Sequence, residues 1–450
     1  RQAQMTKELR VLIDGDEIGS IIQDARGKYR FAYDDSYRKA KTAIPLSISM
    51  PLSVAEHDDK AIRPFMWGLL PDNDDTLNNW GRRFGVNPRN PFALLAEIGE
   101  DLQGAIQMVP IDKIGELKKR EGTTLLSRDV LAKSFAELVR DPGAVQFAPG
   151  GGQFSLAGAQ RKKALYLVNG KWYEPRGRTP STHILKPPIV GLAGQVENEM
   201  FCVRLAPRLG LPAPKCWTEE FGDIPVVVIE RFDRRHLQGP KVLAIDAPGG
   251  EIHRVHQEDC CQALKIDPRN KYQRDGGPGI KAIMELLSGS GKPSDDRDRF
   301  MRACAFNFVI GGTDAHAKNY GLLLSAGGRY RLAPLYDIAS WLPYSKNNRD
   351  DRMAMSIDTY YHFNRILPRH WEDQAKKVGY DPDRAVAHIR DLIARIPNEA
   401  RSLLAACKKE GSATPDLKKL VDLLLARCVD LAETYGSELM GSDQERLPGF

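Results

Sequence analysis

Asp314 and Asn319 stand five residues apart in the stretch Asn307-Phe-Val-Ile-Gly-Gly-Thr-Asp314-Ala-His316-Ala-Lys318-Asn319. A carboxylate and an amide at this spacing suit phosphoryl transfer. The Asp takes the proton of an attacking hydroxyl and the Asn holds a magnesium ion. Such a spacing arises easily by chance, so its weight comes from the residues downstream of it. Tyr320-Gly-Leu-Leu-Leu-Ser, then Ala-Gly-Gly, then Arg329-Tyr-Arg-Leu reads as a hairpin of two apolar runs split by glycines. Leu335-Tyr336-Asp337 comes directly after it. Asp337 supplies a second acceptor-only oxygen ligand where a transferring phosphate needs its metal.

Upstream residues extend the same chemistry. Pro149-Gly-Gly-Gly152-Gln-Phe-Ser155-Leu-Ala157-Gly158-Ala159-Gln160-Arg161-Lys162 precedes a predicted strand. Glycines let backbone N–H groups approach phosphate oxygens. The spacing is not that of a Walker-type loop, and a plain surface turn is the alternative. Lys186 ends the strand Thr182–Lys186, where a kinase keeps the lysine that contacts nucleotide phosphates. A solvated lysine at a strand end is the simpler alternative. Glu199 or Glu197 on the following helix is the candidate partner. Val226-Val-Val-Ile-Glu230-Arg231-Phe232-Asp233-Arg234 runs from an apolar strand into charge. That suits a hinge where the backbone of Glu230 and Phe232 meets adenine, and equally an edge strand with surface ion pairs. His316 lies two residues after Asp314, placed to orient it or to reach a γ-phosphate.

Other chemistries find no pattern. The seven cysteines are scattered without a C-x-x-C pair, so neither a zinc site nor a disulfide framework is expected. His253 and His256 lack further ligands around them. Neither G-x-S-x-G nor G-x-G-x-x-G occurs, against hydrolase and dehydrogenase readings.

The elements that must position these residues follow from periodicity. Leu9–Ile13 and Glu17–Ile22 flank Asp14-Gly15, a hairpin signal, and Tyr29–Tyr33 alternates as a strand. Pro64–Pro71 and Pro91–Ile98 read as short buried helices, and residues 5–110 as a small α/β unit. Residues 111–235 read mainly as strands, with an Asn169-Gly170 hairpin and one helix from Glu197 to Leu209. Residues 236–440 read as helical. Leu417–Tyr435 is the clearest case: Thr414 caps it, Pro415 opens it and Gly436 ends it. Asp267–Pro278 and Ser288–Asp296 read as loops.

The chain of 450 residues is long enough for two or three cores. Its 42% hydrophobic and 28% charged content is that of a globular protein, and a net charge of +6 permits an acidic partner without requiring nucleic acid. The four residues before Met5 are read as an addition to the native chain. With no leader pattern and no long apolar run, a cytoplasmic protein without membrane association is expected.

Together these motifs resemble the HipA family, the kinase toxins of HipBA-type bacterial toxin–antitoxin pairs. The resemblance rests on Ser155-Leu-Ala-Gly-Ala-Gln-Arg-Lys162, Thr182-His-Ile-Leu-Lys186, Glu197-Asn-Glu199, Glu230-Arg-Phe-Asp-Arg234, His256-Gln-Glu-Asp259, Thr313–Asn319 and Tyr336-Asp-Ile338 in the family's order. Pro45-Leu-Ser-Ile-Ser-Met-Pro51, Leu69-Leu-Pro-Asp72 and Arg83-Phe-Gly85 resemble its extra N-terminal subdomain. It implies an α+β, two-lobed, protein-kinase-like fold related to the phosphatidylinositol kinases, with a mixed α/β N-lobe and an all-α C-lobe. It implies a serine/threonine kinase using ATP and Mg2+. Asp314 would be the base, Asn319 and Asp337 the metal ligands and Lys186 a phosphate contact. Ala157–Lys162 would cover the phosphates, with Glu230–Phe232 as adenine hinge and Arg231, His316, Lys318 and Tyr336 around the nucleotide. Ser155 matches a serine that family members autophosphorylate, and a phosphate there would repel ATP from the loop. The implied partners are a helix-turn-helix antitoxin, operator DNA mainly through that antitoxin, and an aminoacyl-tRNA synthetase as target. Two other readings compete: a small-molecule or lipid-headgroup kinase, suggested by D-x-H-x-x-N, and a non-catalytic co-repressor that clamps an antitoxin on DNA.

Overall fold

Asp14 and Gly15 adopt φ of 48° and 88°, and Asn169 and Gly170 adopt 50° and 70°. Paired positive φ values are what a two-residue hairpin turn demands, so both predicted hairpins close where Asp-Gly and Asn-Gly stand. The computed structural model describes residues 7–140, 158, 160–236, 252–346 and 351–436.

The first hairpin nucleates an antiparallel five-stranded sheet in the order Glu56–His57, Tyr29–Tyr33, Asp16–Gln23, Lys7–Ile13, Ile106–Pro110. Helices Asp59–Gly68, Asp74–Phe84 and Pro91–Ile98 cover it, so Val11 and Phe31 of the sheet share one core with Phe65, Met66, Trp80 and Leu94. The first helix begins five residues before the predicted start at Pro64, because the Asp58 carboxylate caps it by accepting from the Ala61 N–H. Pro64 sits inside it.

The second sheet has six strands: Cys216–Phe221, Ile224–Glu230, His183–Lys186, Lys163–Val168, Lys171–Gly177, Glu121–Leu125. Ile224–Glu230 is buried on both faces. Val226 and Val228 pack against Leu131 and Phe135 of helix Arg128–Arg140, while Val227 and Ile229 join the core of helix Gln195–Arg208. Alternation of side chains along a strand produces this division. The helix Arg128–Arg140 lies in a region read mainly as strands.

The C-terminal helices Ile280–Leu287, Pro293–Ile310, Pro368–Lys377, Pro382–Glu410 and Pro415–Tyr435 build the largest core. Thr414 caps the last by accepting from Leu417 N–H at 3.2 Å, and Gly436 ends it at φ 61°. Two expectations are corrected. This region is not all-α: Gln257–Asp259, Gly321–Ser325 and Arg329–Leu332 form a three-stranded sheet, and Arg234–His236 with Ile252–Arg254 and Arg352–Ile357 with Tyr360–His362 form two-stranded ones. Gly321–Ser325 and Arg329–Leu332 pair as the hairpin expected there, whereas most of the other strands are three residues long, too short for a period of two to show. The supposed loop Ser288–Asp296 ends as the first turn of Pro293–Ile310, where Pro293 needs no N–H partner and Asp295 and Asp296 face the positive helix end. All seven cysteines are buried free thiols. No helix among the described residues is long and apolar enough to cross a membrane.

Candidate active site

The helix Pro293–Ile310 ends at Gly311, φ 70°, and Gly312 N–H donates to the Asn307 carbonyl at 2.8 Å. A side chain at Gly312 would collide with Asn307, since a Cβ there would stand 2.6 Å from its Oδ1. The chain therefore turns tightly into Thr313-Asp314. Inside the loop, His316 N–H donates to the Asp314 carbonyl at 2.8 Å and Asn319 N–H to the His316 carbonyl at 2.9 Å. The Asn319 amide Nδ2 also reaches the Asp314 carbonyl, at 2.7 Å. The five-residue spacing thus lets one amide bridge the loop, while the Asp314 carboxylate stays exposed to solvent.

Two aromatic groups frame that carboxylate. The Tyr272 hydroxyl donates to Asp314 Oδ1, and His316 Nε2 lies 3.7 Å from the same oxygen. The Tyr272 and His316 rings meet edge to face at 4.9 Å. Burial pushes the His316 imidazole down to about 4, although the Asp314 charge opposes the shift. It is therefore neutral at pH 7. Burial, then the Asp314 charge, raises the Tyr272 phenol and keeps it protonated.

On the opposite side, Lys186 ends its strand almost fully buried. Its ammonium donates to Glu199 Oε1 at 2.6 Å and to Asp337 Oδ1. Burial alone would lower the Lys186 pKa, but Asp337 and Glu199 more than reverse it. Burial likewise pushes Asp337 up, and Lys186 and then Lys162 hold it well below the carboxylate range. Glu199 itself is raised by burial despite Lys186. Asp337 adopts φ 52°, a left-handed conformation uncommon for a residue with a side chain and concentrated at functional sites. The segment after it is locked onto helix Gln195–Arg208. Asn198 donates to the Ser340 carbonyl at 2.7 Å and accepts from Ser340 N–H at 2.9 Å.

Gly158, Gln160, Lys162, Lys186, Glu230, Phe232, Asp314, His316, Lys318, Asn319, Tyr336 and Asp337 all line one cavity of about 880 Å³, a size that suits a nucleotide. Phe232 and Tyr336 stack at 5.7 Å between ring centres. Gly158 adopts φ 108°, and a Cβ there would stand 2.8 Å from Lys162 Nζ. Burial, with Lys186 adding to it, pushes the Lys162 ammonium down to about 8.

Other candidates sit differently. The Arg161 guanidinium does not line the cavity; it donates to the Leu138 carbonyl and, at 3.1 Å, to the Val139 carbonyl, capping the end of Arg128–Arg140. The Arg231 side chain is spent on Asp233 at 2.8 Å, Ser181 Oγ at 2.9 Å and the Leu102 carbonyl at 3.0 Å, and its main-chain N–H donates to the Thr182 carbonyl at 2.8 Å. The Lys318 ammonium rests on Asp72. Ser155, Ala157 and Ala159 lie outside the described residues. Sequence reasoning missed Asp72, Asn198, Asp259, Lys271 and Tyr272 as cavity residues. The only available signal was that Asp72, Asn198 and Asp259 fall inside motifs already singled out. Burial pushes Asp259 up to about 7, and its Oδ2 has no hydrogen-bond partner among the described residues.

Comparison with known proteins agrees along the chain. Residues 9–109 match the family model described as the HipA N-terminal domain, and residues 154–400 the one described as the HipA-like C-terminal domain. Y4mE of Sinorhizobium fredii, whose name proposes a kinase, is 36% identical over 390 residues, covering 86% of this chain and 89% of its own. The serine/threonine-protein kinase toxin HipA of Shewanella oneidensis is 29% identical over 428 residues, covering 91% and 93%. The solved complex of Shewanella oneidensis MR-1 HipA, HipB and operator DNA contains a chain similar to this one at TM-score 0.79 and 25% identity, over 96% of this chain and 100% of that one.

Proposed function

The chain belongs to the HipA family, and from that membership we propose that it is an ATP- and Mg2+-dependent serine/threonine-protein kinase acting as the toxin of a toxin–antitoxin pair. One observation carries the reading: Lys186, from a distant strand, converges with Asp314, Asn319 and Asp337 on a single cavity. Asp314 is the base, exposed where an acceptor hydroxyl can approach it. Neutral His316 and protonated Tyr272 orient its carboxylate. Asn319 and Asp337 hold the metal. Their oxygens are hard donors, and the Asn319 Nδ2 bond to the loop leaves Oδ1 for a ligand. Bound Mg2+-ATP supplies the phosphoryl group and neutralises its developing charge. Lys186, held by Glu199, contacts the phosphates; the stacked Phe232 and Tyr336 line the adenine end beside the hinge Glu230–Phe232; Ala157–Lys162 cover the phosphates.

The finer parts of the reading follow the family. Ser155 receives a phosphate from the enzyme itself, and the added charge ends ATP binding. A DNA-binding antitoxin of the HipB kind neutralises the kinase, a role supported by the similar solved complex, which joins HipA to HipB and operator DNA. The growth-arresting substrate is an aminoacyl-tRNA synthetase.

The test is intact-mass and phosphosite mapping after incubation with Mg2+-ATP, with Asp314→Asn as control. Asp314-dependent phosphate on Ser155 is expected. Phosphate that appears equally in Asp314→Asn removes Asp314 as the base. Transfer only to a small soluble or lipid acceptor replaces the protein-kinase reading.

A further inference from the structure

Asp72 belongs to the N-terminal unit, in the short link Leu69–Asn73 between helices Asp59–Gly68 and Asp74–Phe84. Yet its carboxylate lies in the cavity, with 11% of the side chain exposed and one ammonium on each oxygen. Lys318 of the catalytic loop meets Oδ1, and Lys271 meets Oδ2 at 2.8 Å. The same link also touches the phosphate-covering segment. Asp72 N–H donates to the Gly158 carbonyl at 3.3 Å, and Pro71 pairs with Gly158 as a parallel bridge.

Both arms of the carboxylate end at the base. Through Lys318 it grips the turn Ala317–Asn319, whose Asn319 spans the Asp314 carbonyl. Through Lys271 it fixes the neighbouring Tyr272, whose hydroxyl donates to the Asp314 carboxylate. Lys318 is buried, with 4% of its side chain exposed, and Lys271 is mostly covered at 15%. Without Asp72, a buried ammonium and a mostly covered one would lose the carboxylate that they share, and the two loops that carry them would lose the tie between them.

From this geometry we infer that Asp72 is a positioning residue for phosphoryl transfer. The N-terminal unit thereby completes the active site, holding the catalytic loop through a side chain and the phosphate-covering segment through backbone. The inference rests on the kinase reading above.

The experiment compares wild type, Asp72→Asn, Asp72→Glu and Lys318→Gln as full chains. It measures phosphate incorporation from Mg2+-ATP, affinity for a non-hydrolysable ATP analogue, and hydrogen exchange at the His316 and Asn319 amides. Asp72→Asn is expected to lower the incorporation rate roughly 100-fold, the scale of loss from a small misplacement of reacting groups. ATP-analogue affinity should change little, loop exchange should rise, and Asp72→Glu should recover part of the rate. Should Asp72→Asn fail to fold, Lys318→Gln carries the same expected loss of rate. Incorporation at the wild-type rate in Asp72→Asn overturns the inference, as does a loss explained wholly by weaker nucleotide binding. If wild type itself incorporates no phosphate, the kinase reading falls first and the inference with it.

Discussion

Asp101→Asn tests how firmly the N-terminal unit is built into the rest of the protein. Asp101 and Asp233 are enclosed by three guanidinium groups, all almost fully buried. Asp101 Oδ1 lies 3.0 Å from Arg234 Nη2 and 3.4 Å from Arg254 Nη2, and Oδ2 lies 2.6 Å from Ser181 Oγ and 3.5 Å from Arg231 Nη1. The substitution leaves three buried cations facing the single carboxylate of Asp233, and turns amide N–H groups toward guanidinium donors. Removing one member of a buried pair costs about 3–5 kcal/mol. For units of this size that is a fall in melting temperature on the order of 10 °C. Glu56→Gln, which breaks the exposed Arg30 pair at 2.8 Å, serves as control and should move the melt very little. Acid gives a second readout. Burial pushes the Asp101 carboxyl up, and Arg234, Arg231 and Arg254 more than reverse it, so its folded-state pKa is depressed. Such a group contributes stability above its unfolded pKa near about 4, and that contribution is lost as pH falls through the folded value. Wild type should therefore destabilise below about pH 4, and Asp101→Asn should show a weaker acid limb. A melt of Asp101→Asn within about 2 °C of wild type, with the acid limb unchanged, would refute the reasoning.

Two further predictions concern the nucleotide half of the cavity. Glu199→Gln frees Lys186 from one of its two carboxylates, so kcat/KM for ATP should fall roughly 10- to 100-fold while the fold survives; steady-state kinetics with circular dichroism decide it. Lys162, pushed down to about 8, loses its charge as pH rises through that value, so kcat/KM for ATP should decline above about pH 8. Lys162→Arg keeps the charge and should abolish that decline; an unchanged alkaline limb in the variant would assign it to another group.

Much of the candidate site's geometry was legible because it is local. The bridge from Asn319 to the Asp314 carbonyl depends on five residues and one tight turn. Lys186 could be placed because a strand ends with it. The Asp-Gly and Asn-Gly turns announced their hairpins by backbone demand alone. What stayed hidden depends on contacts across the chain. The Glu258 carboxylate accepts from Ser47 Oγ at 2.6 Å and from Ile48 N–H at 2.7 Å, so the motifs Pro45–Pro51 and His256–Asp259 meet each other. Spacing within either motif could not reveal that. Arg161 is the converse case: it stands among phosphate-covering residues in sequence, yet its side chain finds the bare carbonyls of a helix that had not been read from the pattern.

The cavity keeps its cations in two arrangements, and the proposed mechanism asks different things of each. Lys186 sits between Glu199 and Asp337, and both Lys186 and Asp337 are assigned to the nucleotide and its metal. On that assignment the Lys186–Asp337 contact would give way to the nucleotide and its metal, with Glu199 left to keep the ammonium in place. Lys318 and Lys271 share Asp72, and their assigned work needs no such exchange, because the base they steady is the neighbouring Asp314 rather than Asp72 itself. On the proposed mechanism the first cluster would be a switchable contact and the second a permanent strut. The distinction shows in kinetics. Loss of Glu199 should register mainly as weakened use of ATP, and loss of Asp72 mainly as slower transfer from ATP already bound. If both variants lost affinity for the nucleotide to the same degree, the cavity would be acting as a single charged pocket, and the separation of a nucleotide half from a base half would be wrong.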